Sequence, residues 1–213
     1  MGDVATKRTA PLRTDPAVIL DAVEELLESE RYDKWQLRDV ADIAKVSLAT
    51  IYKHFPSRDE LTVATVERWM DEHVYKPIQA RAPGEPLFDA LMRMFRTIFE
   101  PWEKHPLILD AFVRARSVPG GERLFAQGIT SVGPMTDALW GLHPSDVADL
   151  GEILTNVTFG AMSRYVAGET PVSGILQAIE RTLSWLKEPS EYVGDQRDTS
   201  ASSSASRCGV TSR

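Results

Sequence analysis

The chain has 213 residues, of which 43% are hydrophobic and 26% charged, a composition typical of a globular protein and not of a disordered one. Its net charge of −7 excludes a histone-like protein that binds nucleic acid through overall charge. No apolar run approaches the roughly 18 residues of a membrane span, so no membrane partner is expected. The single cysteine, Cys208, excludes a disulfide framework. These features predict a cytoplasmic protein.

The N-terminal region carries helix signals with almost no strand alternation. Residues 1–14 are basic and contain few apolar side chains, which predicts a flexible arm. Asp15 and Pro16 provide an N-cap and a first-turn proline, followed by apolar residues at helical spacing. Residues 15–76 are therefore predicted to form one small helical domain, which ends before a segment rich in proline.

Two short helices with a tight turn between them lie inside this domain. Apolar residues of segment 37–44 predict the first helix, and Ser47 is the N-cap of the second, which a proline ends. This spacing is that of a helix-turn-helix, in which the second helix enters the major groove of DNA. Ser57 and Glu60 then form a capping box that opens a longer helix, predicted to reach about Tyr75.

Charge is distributed unevenly along the domain. Residues 34–58 carry a net charge of +3, whereas residues 15–33 carry −6. Contacts with DNA phosphates need cations close by. The basic segment contains the second short helix, so it favours binding of duplex DNA although the chain as a whole has a negative net charge.

The second part, residues 77–188, contains longer and more apolar segments. Segment 87–102 has an apolar face so wide that its helix is expected to be buried on most sides. Further helices are predicted from Pro106 to near Pro119 and at about 122–140, 145–168 and 171–187. Residues 189–213 include seven serines and are predicted to form a disordered tail.

One run of residues resembles a known family. Residues 32–61 resemble the DNA-binding domain of TetR-family transcriptional regulators. The resemblance is strongest in the run Ile51-Tyr52-Lys53-His54-Phe55-Pro56-Ser57-Arg58-Asp59-Glu60-Leu61. The resemblance implies an all-α fold, with an N-terminal three-helix helix-turn-helix domain and a larger C-terminal helical domain for ligand binding and dimerisation. It also implies a homodimeric repressor that binds a palindromic double-stranded DNA operator and is released by a hydrophobic small-molecule effector. An activator stays possible, because the sign of regulation depends on operator position.

The resemblance assigns DNA contacts position by position. It places toward the groove Ser47, Leu48, Ala49, Lys53 and His54. It implies that Thr50, Tyr52 and Arg58 contact phosphates, and that Gln36 and Arg38 lie near the DNA backbone. Lys45 stands where the family often has glycine, so either the turn differs slightly or Lys45 adds a phosphate contact. Basic residues of the arm are candidates for the neighbouring minor groove.

Within the family, spacings in both parts of the chain are similar to the KstR branch. They are Tyr32…Gln36-Leu37-Arg38…Val40-Ala41-Asp42 and His105-Pro106-Leu107…Ala111…Arg114-Ala115. This branch represses genes of steroid catabolism and responds to steroid-derived CoA thioesters, so a steroid or acyl-CoA thioester is one candidate effector. In the family's mechanism, the effector shifts the helix at about 58–75, so the two reading helices of the dimer no longer match successive major grooves.

Aromatic and methionine residues of the second domain are candidates for an effector pocket, although such a stripe is also typical of plain core. The candidates are Phe95, Phe99, Trp102, Phe112, Phe125, Trp140, Phe159 and Met162, with Arg116 and Asn156 for a polar end of the effector. The helices near 145–168 and 171–187 are candidates for the dimer interface that the resemblance implies.

A metal site, a carrier and an enzyme are the alternatives to a DNA-binding regulator. Asp146, Asp149 and Glu152 recur every three residues, which spreads them around a helix instead of converging on an ion, so no metal and no cofactor is expected. An all-helical carrier of lipids or other hydrophobic ligands, or an enzyme, is the alternative class. No phosphate-binding loop or nucleophile elbow supports an enzyme.

Overall fold

The computed structural model of the protein describes residues 15–136 and 143–187, in which all regular structure is helical. In chain order it contains α1 Pro16–Ser29, α2 Leu37–Ala44, α3 Leu48–His54, α4 Arg58–Met70, a π-helical turn Asp71–Tyr75, α5 Leu87–Lys104, α6 Pro106–Ala115, α7 Glu122–Thr136, α8 Pro144–Val166 and α9 Val172–Lys187. The predicted all-α class is confirmed. The predicted arm 1–14, the tail 189–213 and Trp140 lie outside the described residues. Within those residues, each helix is too short or too polar to cross a bilayer.

Side-chain caps determine where the N-terminal helices begin. An Asp15 carboxylate oxygen accepts from the backbone N–H of Ala17 at 3.0 Å and opens α1. The Ser47 hydroxyl accepts from Thr50 at 3.1 Å and opens α3. The three predicted starts are confirmed, because the Ser57 hydroxyl also accepts from the N–H of Glu60, at 3.0 Å, and opens α4.

Two details of α4 differ from the prediction. The carboxylate of Glu60 does not complete a capping box; it accepts from Arg123 of α7 at 2.9 Å, because that guanidinium lies within reach of the first turn. The α-helix also ends at Met70, and the chain continues as a π-helical turn whose backbone bond runs from Lys76 N–H to the Asp71 carbonyl at 3.1 Å. A π-helical turn widens the helix by one residue and is frequent at functional sites.

The core of the N-terminal domain fixes the angle between α2 and α3. Val40 of α2 and Ile51 of α3 are fully buried, and Ala44 and Val46 are partly buried against them. Trp35 and the buried face of α1 complete this core. The turn between α2 and α3 is closed by the Val46 N–H, which donates to the Ala41 carbonyl at 3.1 Å. The apolar packing therefore presents the opposite face of α3 outward.

The C-terminal domain is built around α5, which packs on α6 and α9, while α8 packs along α9. The wide apolar face predicted for α5 is buried, with Phe99 and Trp102 almost completely removed from solvent. α6 packs against both α1 and α4, so the two domains share one continuous core.

Polar contacts tie the domains together at three more points. Arg123 of α7 bonds Glu60 at 2.9 Å and lies 3.4 Å from Glu67, both in α4. The Gln127 side-chain amide donates to the backbone carbonyl of Glu67 at 2.8 Å. His105, just before α6, lies 2.9 Å from the Glu28 carboxylate of α1. α7 is therefore in direct polar contact with α4.

Lys45 adopts the left-handed conformation, with φ 56° and ψ 40°, in the turn between α2 and α3. A residue with a Cβ is destabilised by about 1–2 kcal/mol in this conformation. Glycine avoids that strain, but it is also freer in the unfolded chain, so replacing the residue by glycine recovers only part of the energy. We expect the free energy of unfolding of Lys45→Gly to exceed that of Lys45→Ala by about 1 kcal/mol. Urea unfolding followed by circular dichroism at one fixed protein concentration measures the difference. Equal stability of the two variants would contradict the strain.

Candidate DNA interface and ligand pocket

The outward face of α3 carries exposed apolar as well as polar side chains. Tyr52 is 53% exposed and Leu48 is 36% exposed, and the residue after each of them, Lys53 and Ala49, is exposed as well. Leu48 and Tyr52 do not belong to the buried core of the domain. They suit contact with base edges, where a leucine can meet a thymine methyl group.

The remaining predicted contacts of α3 are more constrained. Thr50 is half-buried, and its hydroxyl lies 2.9 Å from that of Ser47, so the two hydroxyls share one hydrogen bond at the helix start. His54 is half-buried beside Phe55, with their ring centroids 6.4 Å apart. The structure brings these residues together on one short helix, with Lys53 and His54 in its last turn.

The predicted contacts that precede α3 are exposed. Gln36 caps α2 through its backbone N–H, which donates to the Asp39 carboxylate at 2.7 Å. Arg38 is exposed two residues further along, and Lys45 is exposed in the turn before α3. Lys45 adopts a left-handed conformation in this turn, which glycine would adopt without strain. Its contact with phosphate stays a prediction.

Arg58 is engaged inside the domain. Its guanidinium carbon lies 4.1 Å from the ring centroid of Trp35 and 4.9 Å from that of Tyr32, and it donates to the backbone carbonyl of Tyr32. Burial, the largest contribution, raises the pKa of the Tyr32 phenol. The structure thus uses Arg58 to fasten the α1–α2 loop to the start of α4. The aromatic residues at positions 32 and 35 were the sequence signal for this packing.

A cavity of about 290 Å³ lies in the C-terminal domain, with a wall that is overwhelmingly apolar. Seven of the predicted pocket residues form part of this wall: Phe95, Phe99, Trp102, Phe112, Phe125, Phe159 and Met162. The volume is at the lower end of the range for small-molecule sites, about 300–1,000 Å³. An effector in this cavity stays a prediction.

Two predicted pocket residues lie elsewhere. Asn156 is exposed on α8, because the helix directs Thr155 and Thr158 toward the cavity instead. Arg116 is not part of the wall; its guanidinium carbon lies 3.4 Å from the ring centroid of Phe159. Burial lowers the pKa of Arg116, and its Nε has no hydrogen-bond partner among the described residues.

The wall also contains residues that the sequence did not indicate. Met70 and Tyr75 reach it from the end of α4 and the π-helical turn. Sequence periodicity placed them in the first domain and could not show that this helix end is covered by the second. Leu150 and Leu154, predicted as core or dimer interface, also line the cavity.

The described fold therefore consists of an exposed short helix after a tight turn, a second helical domain with an apolar cavity, and α4 in contact with both. This arrangement defines a helix-turn-helix protein with a second helical domain that contains a cavity. Residues 19–65 match the family model for bacterial regulatory proteins of the tetR family, and residues 84–186 match that of the tetracyclin repressor-like C-terminal domain. The chain belongs to the TetR family of transcriptional regulators.

Individual relatives are similar to the chain over much of its length. The HTH-type transcriptional repressor KstR of Rhodococcus jostii is 29% identical over 184 residues, 79% of this chain and 80% of that protein. KstR of Mycobacterium tuberculosis is 31% identical over 97 residues, 46% of this chain and 44% of that protein. The predicted resemblance to the KstR branch is confirmed.

Solved structures share the fold. A TetR transcriptional regulator from Rhodococcus sp. RHA1 superposes with a TM-score of 0.63 at 20% identity, covering 81% of this chain and 97% of that one. A TetR-like regulator from the same source gives a TM-score of 0.56 at 18% identity, covering 84% and 97%.

The packing of Arg58 can be separated from a phosphate contact by a substitution that keeps the charge. A lysine cannot stack on Trp35 and Tyr32 as a planar guanidinium does, so Arg58→Lys is expected to lower the free energy of unfolding by about 1 kcal/mol. Arg38→Lys, at an exposed site, is the matched control and should change stability by less than about 0.5 kcal/mol. Chemical denaturation of both variants measures this. Equal stability of the two variants would contradict the stacking of Arg58, whose phosphate contact stays a prediction.

Proposed function

We propose that the protein is a dimeric repressor that binds a palindromic operator through α3 and is released when an apolar effector fills the cavity. The observation that carries this proposal is the position of α4. It begins at Arg58, after the Ser57 cap that follows the reading helix. Its last residue, Met70, lies in the cavity wall together with Tyr75 of the π-helical turn that continues it. One helix of 13 residues, about 20 Å long, thus contacts both candidate sites.

α7 provides a second connection between the cavity and the DNA-binding domain. It contributes Leu124, Phe125 and Gly128 to the wall, while Arg123, one residue earlier, bonds the first turn of α4. An effector that displaces α7 would therefore move the helix that follows α3. Effector and operator then favour different conformations, and each weakens binding of the other by the same factor.

Dimerisation is supported by apolar residues on the outer faces of α8 and α9. Trp185 of α9 is 84% exposed and Ile153 of α8 is 47% exposed. So exposed a tryptophan side chain is typical of a protein–protein interface, where aromatic residues are enriched. A two-fold dimer also explains how one short helix per chain reaches useful specificity, because two half-sites are read at once.

The candidate effectors are apolar molecules, including a steroid or acyl-CoA thioester. The KstR relatives and the apolar cavity support this class, with the CoA part of a thioester outside the cavity. The competing function, a carrier of hydrophobic ligands, uses the same cavity and needs no DNA.

Selection of duplexes from a random DNA pool by the purified protein, at about 0.15 M salt, distinguishes the two functions. We expect enrichment of a two-fold symmetric site. If a folded, dimeric protein enriches nothing, the regulator is excluded and the carrier is favoured.

A Tyr52→Phe variant should bind the selected site more weakly while remaining folded, since it lacks one exposed hydroxyl.

The interface makes an independent prediction. Trp185→Glu places a charge on the exposed face of α9 and is expected to shift the protein toward monomer in sedimentation velocity at micromolar concentration. Val18→Glu is the matched control, because Val18 is 44% exposed on α1, away from α8 and α9, and the variant should remain dimeric. A Trp185→Glu dimer as tight as that of the control would move the interface to another surface.

A further inference from the structure

The reading helix α3 carries few of the longer side chains that read bases by hydrogen bonds. Those side chains are arginine and lysine for guanine, asparagine and glutamine for adenine, and aspartate and glutamate for cytosine. From Leu48 to His54, α3 contains a single residue of this set, Lys53 in its last turn. Most of the helix must therefore distinguish bases in another way.

The hydroxyl groups at the start of α3 are engaged within the protein. The Ser47 hydroxyl accepts from the Thr50 backbone N–H at 3.1 Å and lies 2.9 Å from the Thr50 hydroxyl. Thr50 is half-buried, and Ile51 after it is fully buried. Both hydroxyls therefore stabilise the first turn, and contact with bases there falls to the two residues that follow Ser47.

The outward face of α3 consists of two short rows of side chains. At about 100° per residue, Leu48 and Tyr52 form one row and Ala49 and Lys53 the other, all within roughly 140° of the helix circumference. The second member of each row has a polar end, whereas the first members are purely apolar. In helix-turn-helix proteins the first residues of the second helix contact base edges. An apolar pair, Leu48 and Ala49, therefore occupies the part of the face that meets the bases.

One chemical feature of the major groove matches an apolar pair. All four bases present donors or acceptors there, and thymine alone adds a methyl group. Leu48 belongs neither to the buried core nor to the residues packed against it, so its side chain can contact DNA without leaving the core. A leucine side chain packed on a purely polar base edge would separate that edge from water without replacing its hydrogen bonds. Thymine is the base that avoids this loss.

We propose that Leu48, with Ala49 beside it, reads the methyl group of a thymine in each operator half-site. Apolar contact, and not hydrogen bonding, then sets the specificity at that base pair. This inference rests on the proposed function, because it takes α3 as the helix that enters the major groove. Tyr52 and Lys53 lie one turn further along and contribute binding that does not depend on the methyl group.

Deoxyuridine tests the contact directly, because it pairs as thymine does, keeps the O4 acceptor and lacks only the methyl group. The probe is the end-labelled symmetric duplex that the protein selects, with each thymine of the half-site replaced in turn. Fluorescence anisotropy at about 0.15 M salt gives the affinities. We expect one such replacement to weaken binding about 4-fold in one half-site and roughly 16-fold in both, as the loss of one buried methyl group per contact predicts.

The Leu48→Ala variant assigns the contact to this side chain. It should bind the thymine duplex and the sensitive deoxyuridine duplex with equal affinity. Its affinity for duplexes of unrelated sequence, and the salt dependence of that binding, should stay unchanged because no charge is altered. Val18→Ala is the matched control, since Val18 is 44% exposed on α1, and it should keep the full preference for thymine.

The inference is overturned if no thymine of the selected half-site is sensitive to deoxyuridine. It is also overturned if Leu48→Ala retains the full preference for thymine, because another side chain then reads the methyl group. These outcomes are separate from the test of function. A protein that selects a symmetric site but binds its deoxyuridine forms equally well remains a regulator and loses the methyl readout. A folded, dimeric protein that selects no site loses both.

Discussion

The burial of Trp69 in the last turn of α4 is the contact on which the two-domain structure depends. Its ring lies 4.8 Å from that of Trp102 in α5, 5.0 Å from that of His73 and 5.5 Å from that of His105, by ring centroids. Trp69 is 1% exposed, and truncating such a residue typically costs about 3–5 kcal/mol. α4 therefore belongs to both cores, and neither domain can shift without repacking the other.

This shared core shapes the regulation we propose. A packed interface does not deform gradually, so coupling between cavity and DNA requires two alternative packings of α4 and α7. Arg123 is well placed for such a change, because it contacts both Glu60 and Glu67, which lie two turns apart on α4. These ion pairs are partly exposed and therefore weak individually, which makes them easier to exchange than the aromatic contacts beneath them.

Local rules are most often broken where a site serves function instead of stability. The reading helix α3 is such a place in this chain, because its large apolar side chains Leu48 and Tyr52 remain exposed. Unsatisfied polar groups are not confined to one site: those of Trp102 and Thr158 belong to residues of the cavity wall, whereas those of Trp35, Trp69 and Arg116 lie elsewhere.

The sequence alone determined the helices, their caps and the helix-turn-helix, because these follow from contacts between residues a few positions apart. It also indicated most of the aromatic cavity residues, since large apolar side chains at helical spacing must be buried. Only the tertiary structure decided which buried residues face a cavity and which partner each charge takes. Glu60 has the sequence of a capping residue, yet it bonds Arg123, 63 residues away. Arg58 and Tyr75 were likewise assigned by packing, because spatial proximity between distant segments leaves no periodic signal in a single sequence.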